Sequence, residues 1–193
     1  AVIAQGLLGR ATVLMGIEKG RLPAEISIAH AGLAEAFFCI TVALAWVLRP
    51  GHAPAPANAG GSPLFRWCAA ATATVYVQIL LGALIRHTGS GLPWHLAGVV
   101  YCAGQRVLET GDDPERLRRP ALLAMAFVLA QLALGMGAAV WLGQFDVHKG
   151  AREPLQIWVR NLHLGTGALL LVTLFLMTLR AWRLPPTTDV TRT

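Results

Sequence analysis

Charge is scarce in this chain. Only 13% of its 193 residues are Asp, Glu, Lys or Arg, and the mean hydropathy is +0.55. A soluble domain of this size could not keep so apolar a surface in water, which leaves a multi-span membrane protein. Acidic residues are the rarer sign, 10 against 16 Lys and Arg, giving a formal charge of +6. The arginines gather in short segments between apolar runs, and no aromatic residues alternate with them as stacking platforms. The excess charge therefore reports membrane orientation and not nucleic-acid binding. Cysteine is sparse too. Cys39, Cys68 and Cys102 each fall inside an apolar run, with no CxxC or Cys/His zinc spacing, and read as small packing residues. Also missing are an initiator Met and a basic segment ahead of the first apolar stretch, which argues against a signal peptide and for a truncated N-terminus.

What is present is a series of apolar segments. At about 20 residues per crossing, the pattern predicts an all-α polytopic bundle with five full transmembrane helices and one partial N-terminal helix. The partial helix runs from Val2 to about Met15, and the full ones are Ala24 to Leu48, Trp67 to Ile85, Pro93 to about Leu108, Ala121 to Leu142 and Ile157 to Trp182. The segment from Pro93 is the shortest, with an apolar part of about 13 residues, a length that can also mean a re-entrant segment. Charge decides in favour of a crossing. Arg106, Arg116, Arg118 and Arg119, the Arg49 to Arg66 loop, and Arg180 with Arg183 then share one face, which is cytoplasmic. The expected location is the inner (plasma) membrane, with the C-terminus cytoplasmic. The stretch GHAPAPANAGGSP reads as a linker, ETGDDPE as a turn-rich loop, and the end of the chain as a disordered tail.

Three of the six histidines open apolar segments: His30 in IAHAGLAEAFF, His95 in PWHLAGVVYC and His163 in NLHLGTGALLL. An ionisable ring at the start of a membrane helix is costly to bury and calls for a reason. The predicted topology puts all three near one membrane surface, each followed by small residues. A porphyrin needs imidazole ligands and helix surfaces low enough to lie against. Gly98 follows His95 by three residues and Gly167 follows His163 by four, so His95 and His163 are the candidate bis-imidazole pair for a haem iron, with Gly98 and Gly167 as the gaps. The alternative for each ring is an interfacial contact with lipid headgroups. His30 has Ala34 on its face, and its partner ligand would come from a helix absent from this sequence.

Other polar residues divide by position. Arg86 precedes Thr88-Gly89-Ser90-Gly91, a turn able to expose backbone N–H groups. Arg86 could pair with a haem propionate or simply snorkel to the interface. His87 reads as a loop residue, and His52 and His148 as solvated. Glu35, five residues after His30, is off the His30 face and reads as helix–helix glue. A pattern also recurs: Gln5 with Gly9 in QGLLG, Gln78 with Gly82 in QILLG, and Gln131 with Gly135 in QLALG. Each copy precedes a histidine-led helix, so the repeating unit is a hairpin of a Gln/Gly helix and a returning His helix. The glycine permits close approach and the glutamine can hydrogen-bond across the contact.

With IRHTGSGL, AHAGLAEAFFC and LHLGTGALLLVTLFLMTLRAWR together, the chain resembles the haem A synthase family of cytochrome oxidase assembly proteins. The resemblance implies eight helices in two similar four-helix halves. It also implies a haem B cofactor on the C-terminal histidine pair, and oxidation of a haem O methyl group to formyl in the N-terminal half. Carried onto this chain, residues 1–48 are the last two helices of the first half and 49–66 a cytoplasmic linker. Residues 67–183 are then the complete C-terminal four-helix haem-binding half, and 184–193 the tail. His95 and His163 become the haem B ligands and His30 a ligand of the substrate haem, with Arg86 at the propionates. The family's first two helices and their carboxylate are not in this sequence, and the segment around His95 is compressed. The expectation is therefore haem B binding without turnover by this polypeptide alone. Expected partners are haem O, a quinone or other membrane electron acceptor, and cytochrome oxidase assembly partners or further copies of the chain. Two rival readings remain open on the residues: a b-type cytochrome subunit serving quinone, and a transporter or structural bundle without haem.

Overall fold

A computed structural model describes residues 2–19, 24–51, 59–88, 104–106, 109, 114–144 and 154–184. Five long helices account for nearly all of them: α1 Val2–Lys19, α2 Ala24–Leu48, α3 Pro63–Thr88, α4 Pro114–Gln144 and α5 Pro154–Ala181. No strand occurs among the described residues. Among the described residues, four stretches are long and apolar enough to cross a membrane: Glu25–Leu48, Pro63–Leu84, Leu117–Gly137 and Ile157–Ala181. The shorter Val2–Met15 is apolar as well. The remaining expected crossing, Pro93 to about Leu108, lies outside the described residues except near its end. Large apolar side chains face outward along the helices, Leu129 at 68% and Leu164 at 59% exposure among them. Such surface suits hydrocarbon, not water, and the protein is an integral membrane protein.

Sequence expectation and structure differ at the helix starts. Hydropathy marks where lipid begins, whereas Pro63, Pro114 and Pro154 mark where the helices begin. Proline is pre-organised for the first helical position and loses no hydrogen bond there. Helix α3 therefore starts four residues before Trp67, and α4 seven before Ala121, so Arg118 and Arg119 are exposed on the first turns of α4 and not in a loop. Ser62 caps α3: its Oγ accepts from the Leu64 N–H at 3.2 Å, and the serine is buried.

The core is a seam of small and branched residues. Leu64, Cys68, Ala71 and Val75 on α3, and Leu117, Ala121, Ala124 and Val128 on α4, follow alternating steps of four and three. They close on Leu171, Leu174, Met177 and Ala181 of α5. This is the spacing of left-handed helix packing, and alanine or cysteine at the contact lets the backbones approach. Helix α5 packs on both α3 and α4, α2 on α3 and α5, and α1 on α2. Between α3 and α5, Thr72 and Thr178 share a hydrogen bond of 2.9 Å.

One end of the bundle is basic. Gly60 N donates to Trp182 O at 2.6 Å, which ties the segment before α3 to the end of α5. Gly60 has φ +83°, and a Cβ there would lie 3.1 Å from the Trp182 ring, so both backbone and space require glycine. The guanidinium groups of Arg49 and Arg180 stand 3.7 and 5.4 Å from the Trp46 ring centroid. Arg106 lies 5.9 Å from the Trp67 centroid on α3, while a Cβ at Gly104 would touch Met125 of α4 at 3.0 Å. Residues 104–106 thus lie between α3 and α4 at the basic end.

Candidate functional site

The histidine-led helices share a direction. The contact of Arg180 on α5 with Trp46 on α2 sets the C-terminal ends of these two helices level. Counting back at 1.5 Å per residue, His30 lies about 24 Å and His163 about 26 Å from that contact. Both are therefore at the end of the bundle away from the Trp46–Arg180 contact and at nearly one depth. The end of α3, which carries Arg86 and His87, is at that end too, since α3 runs antiparallel to α5. The side chains of Arg86 and His87 lie outside the described residues, as do His95, Gly98, His52, His148 and the Gly89 to Gly91 part of the turn.

Two of the three Gln/His hairpins are described, and they make the same hydrogen bond. Gln5 Nε2 donates to the His30 backbone carbonyl at 3.2 Å. Gln131 Nε2 donates to the His163 carbonyl at 2.6 Å and to Thr166 Oγ1 at 2.8 Å. The bond across the hairpin expected of the repeated glutamine is present in both. Its cause lies in the seam. Gln131 falls three residues after Val128, the next position of the α4 stripe, where the amide faces α5 and not water. A helix carbonyl keeps a second lone pair after its own helical bond, and the glutamine takes it. Gln78 holds the same position three residues after Val75 on α3, and its Oε1 is buried with no hydrogen-bond partner among the described residues.

The glycines divide the work. A Cβ at Gly9 would sit 3.3 Å from Cε1 of the His30 ring, so α1 lies flush against the edge of the imidazole. At Gly167, expected to make room for a porphyrin edge, a Cβ would meet Gln131 Nε2 at 3.0 Å. In this structure that space holds the glutamine amide. On the other side of α2, Tyr76 OH donates to Gly32 O at 3.0 Å, and Leu80 fills the gap left by the glycine. This α2–α3 clamp, with the Thr72–Thr178 bond, escaped the sequence reading. Glu35 does not act as the expected glue: its Oε2 is buried and has no hydrogen-bond partner among the described residues. One turn of α2 separates it from Cys39, which packs against the core.

The model of the COX15-CtaA family, cytochrome oxidase assembly protein, matches residues 1–100. That is more than half of the chain, and it takes in α1, α2 and α3 with the first hairpin. The chain belongs to this family. No curated protein and no solved structure matches it. The matched stretch contains Gln5, Gly9, His30, Arg86 and His95, whereas α4 and α5 with His163 lie beyond it. Among the described residues no three His, Cys, Asp or Glu side chains converge as a metal-ion cage. A haem asks for something different, one or two imidazoles and flat walls. His30 is half-buried, with Gly9 against the edge of its ring and an Nδ1 that has no partner among the described residues.

Proposed function

We propose that the protein serves cytochrome oxidase assembly as a haem A synthase-like oxidoreductase that converts a methyl group of haem O to formyl. His95 and His163 would hold a resident haem B, and His30 would ligate the substrate haem. Haem B, when bound, supplies a one-electron relay through which electrons leave the substrate for a quinone or other membrane acceptor. The observation that carries this reading is the shared depth of His30 and His163 on parallel helices, each fixed by a glutamine from the preceding helix. Histidines placed at this shared depth would bind and orient two flat ligands near one membrane surface. The apolar helix walls keep water from them, and Arg86 with the following turn would face the propionates. The basic end is then cytoplasmic and the histidine end outer. Haem B would lie within residues 67–183, and the Arg49 to Arg66 segment would join the two haem-bearing halves.

Binding tests this directly. The purified full chain is titrated with haem B and then with haem O. The expected result is two sites: haem B lost when His95 and His163 are both changed to Ala, and haem O lost in His30→Ala with haem B retained. A single site indifferent to both substitutions would overturn the proposal.

A further inference from the structure

Gln5 offers more than a bond to the backbone. Its Nε2 donates to the His30 carbonyl, so the orientation of the amide is determined, because an Oε1 in that place could not donate. Its Oε1 is then an acceptor, and it is buried with no partner among the described residues. On the residue it already grips, His30 Nδ1 is buried and has no partner among the described residues either. An unpaired donor and an unpaired acceptor buried in apolar surroundings are each costly, and pairing them removes both penalties. Gly9, one turn along α1 from Gln5, lies against the Cε1 edge of the ring and adds no side chain that would cover its nitrogens.

We infer that Gln5 is a positioning residue which holds His30 at two points, its Nε2 on the carbonyl as in this structure and, once amide and ring turn toward each other, its Oε1 on the Nδ1–H of the ring. With the proton kept on Nδ1, the neutral imidazole has its lone pair on Nε2 and directed away from Gln5. A second-shell acceptor of this kind fixes ring tautomer and orientation and raises the donor strength of a ligating histidine. The inference rests on the proposed role of His30 toward the substrate haem, but the hydrogen bond itself can be measured without haem.

Nitrogen NMR of the full chain carrying isotope-labelled histidine reads the tautomer of His30. The expected result is a protonated, hydrogen-bonded Nδ1 and a bare Nε2. In Gln5→Leu the proton is expected to move toward Nε2, whereas Gln5→Glu, which keeps an acceptor, retains it on Nδ1. Gln131→Leu disturbs the other hairpin and should leave the His30 signals unmoved, which separates a local effect from general loosening. Haem O affinity is expected to fall about 10–100-fold in Gln5→Leu, the usual effect of losing a second-shell partner, and to be kept in Gln5→Glu. Unchanged His30 nitrogen shifts in Gln5→Leu would overturn the inference. The expected tautomer shift combined with haem O binding insensitive to His30→Ala would uphold the clamp and overturn the haem assignment of His30.

Discussion

Replacing Gln131 by Leu tests how polar groups hold the α4–α5 hairpin. Leucine keeps most of the volume and removes an amide that makes two interhelical bonds, to the His163 carbonyl and to Thr166 Oγ1. Interhelical hydrogen bonds in membranes average about 0.6 kcal/mol and reach about 1.7 kcal/mol, so two such bonds are worth on the order of 1–3 kcal/mol. The loss should fall in the lower part of that range, because neither partner is left bare. Thr166 Oγ1 also donates to the Leu162 carbonyl at 2.8 Å, and the His163 carbonyl lies inside helix α5, where its own helical bond remains. Equilibrium unfolding in mixed micelles of mild and denaturing detergent gives the stability, and a cycle with Thr166→Val isolates the coupling. A loss of about 1–2 kcal/mol with measurable coupling is expected. An unchanged or raised stability would refute the reasoning that the amide is held by these bonds.

Other substitutions give sharper contrasts. Ala121→Leu puts a large side chain into the fully buried α4–α5 seam and should cost about 1–3 kcal/mol or prevent folding, read by the same unfolding assay. Ser62→Ala removes the cap of α3 and should cost about 1 kcal/mol, without effect on any haem signal. Thr72→Val should cost less than about 1 kcal/mol, since Thr178 still bonds the Leu174 carbonyl at 2.9 Å after losing its partner.

The fold was legible where lipid alone writes the pattern. Helix α2 has the bounds Ala24–Leu48 that hydropathy marked, because polar or turn-forming residues flank it directly. Helix α4 was misjudged by seven residues because Arg116 to Arg119 are good helix formers outside the bilayer, and hydropathy cannot see a helix in water. The site was legible in its repeat. Gln and Gly four residues apart share a face, and the sequence foretold that the glutamine would reach across. It could not show that Gly167 accommodates Gln131, since one empty Cβ position fits a porphyrin or an amide equally well. The Tyr76 to Gly32 bond is beyond any spacing rule, because it depends on the rotation of α2 against α3.

The central claim is that imidazoles at the end of the bundle opposite the Trp46–Arg180 contact hold a haem iron. Its most direct measurement is the ferric absorption and electron paramagnetic resonance spectrum of the full chain loaded with haem B. The account expects a low-spin bis-imidazole spectrum that turns high-spin in His95→Ala and in His163→Ala, and no bound haem at that site when both are changed. An unaltered low-spin spectrum in the double variant would contradict it.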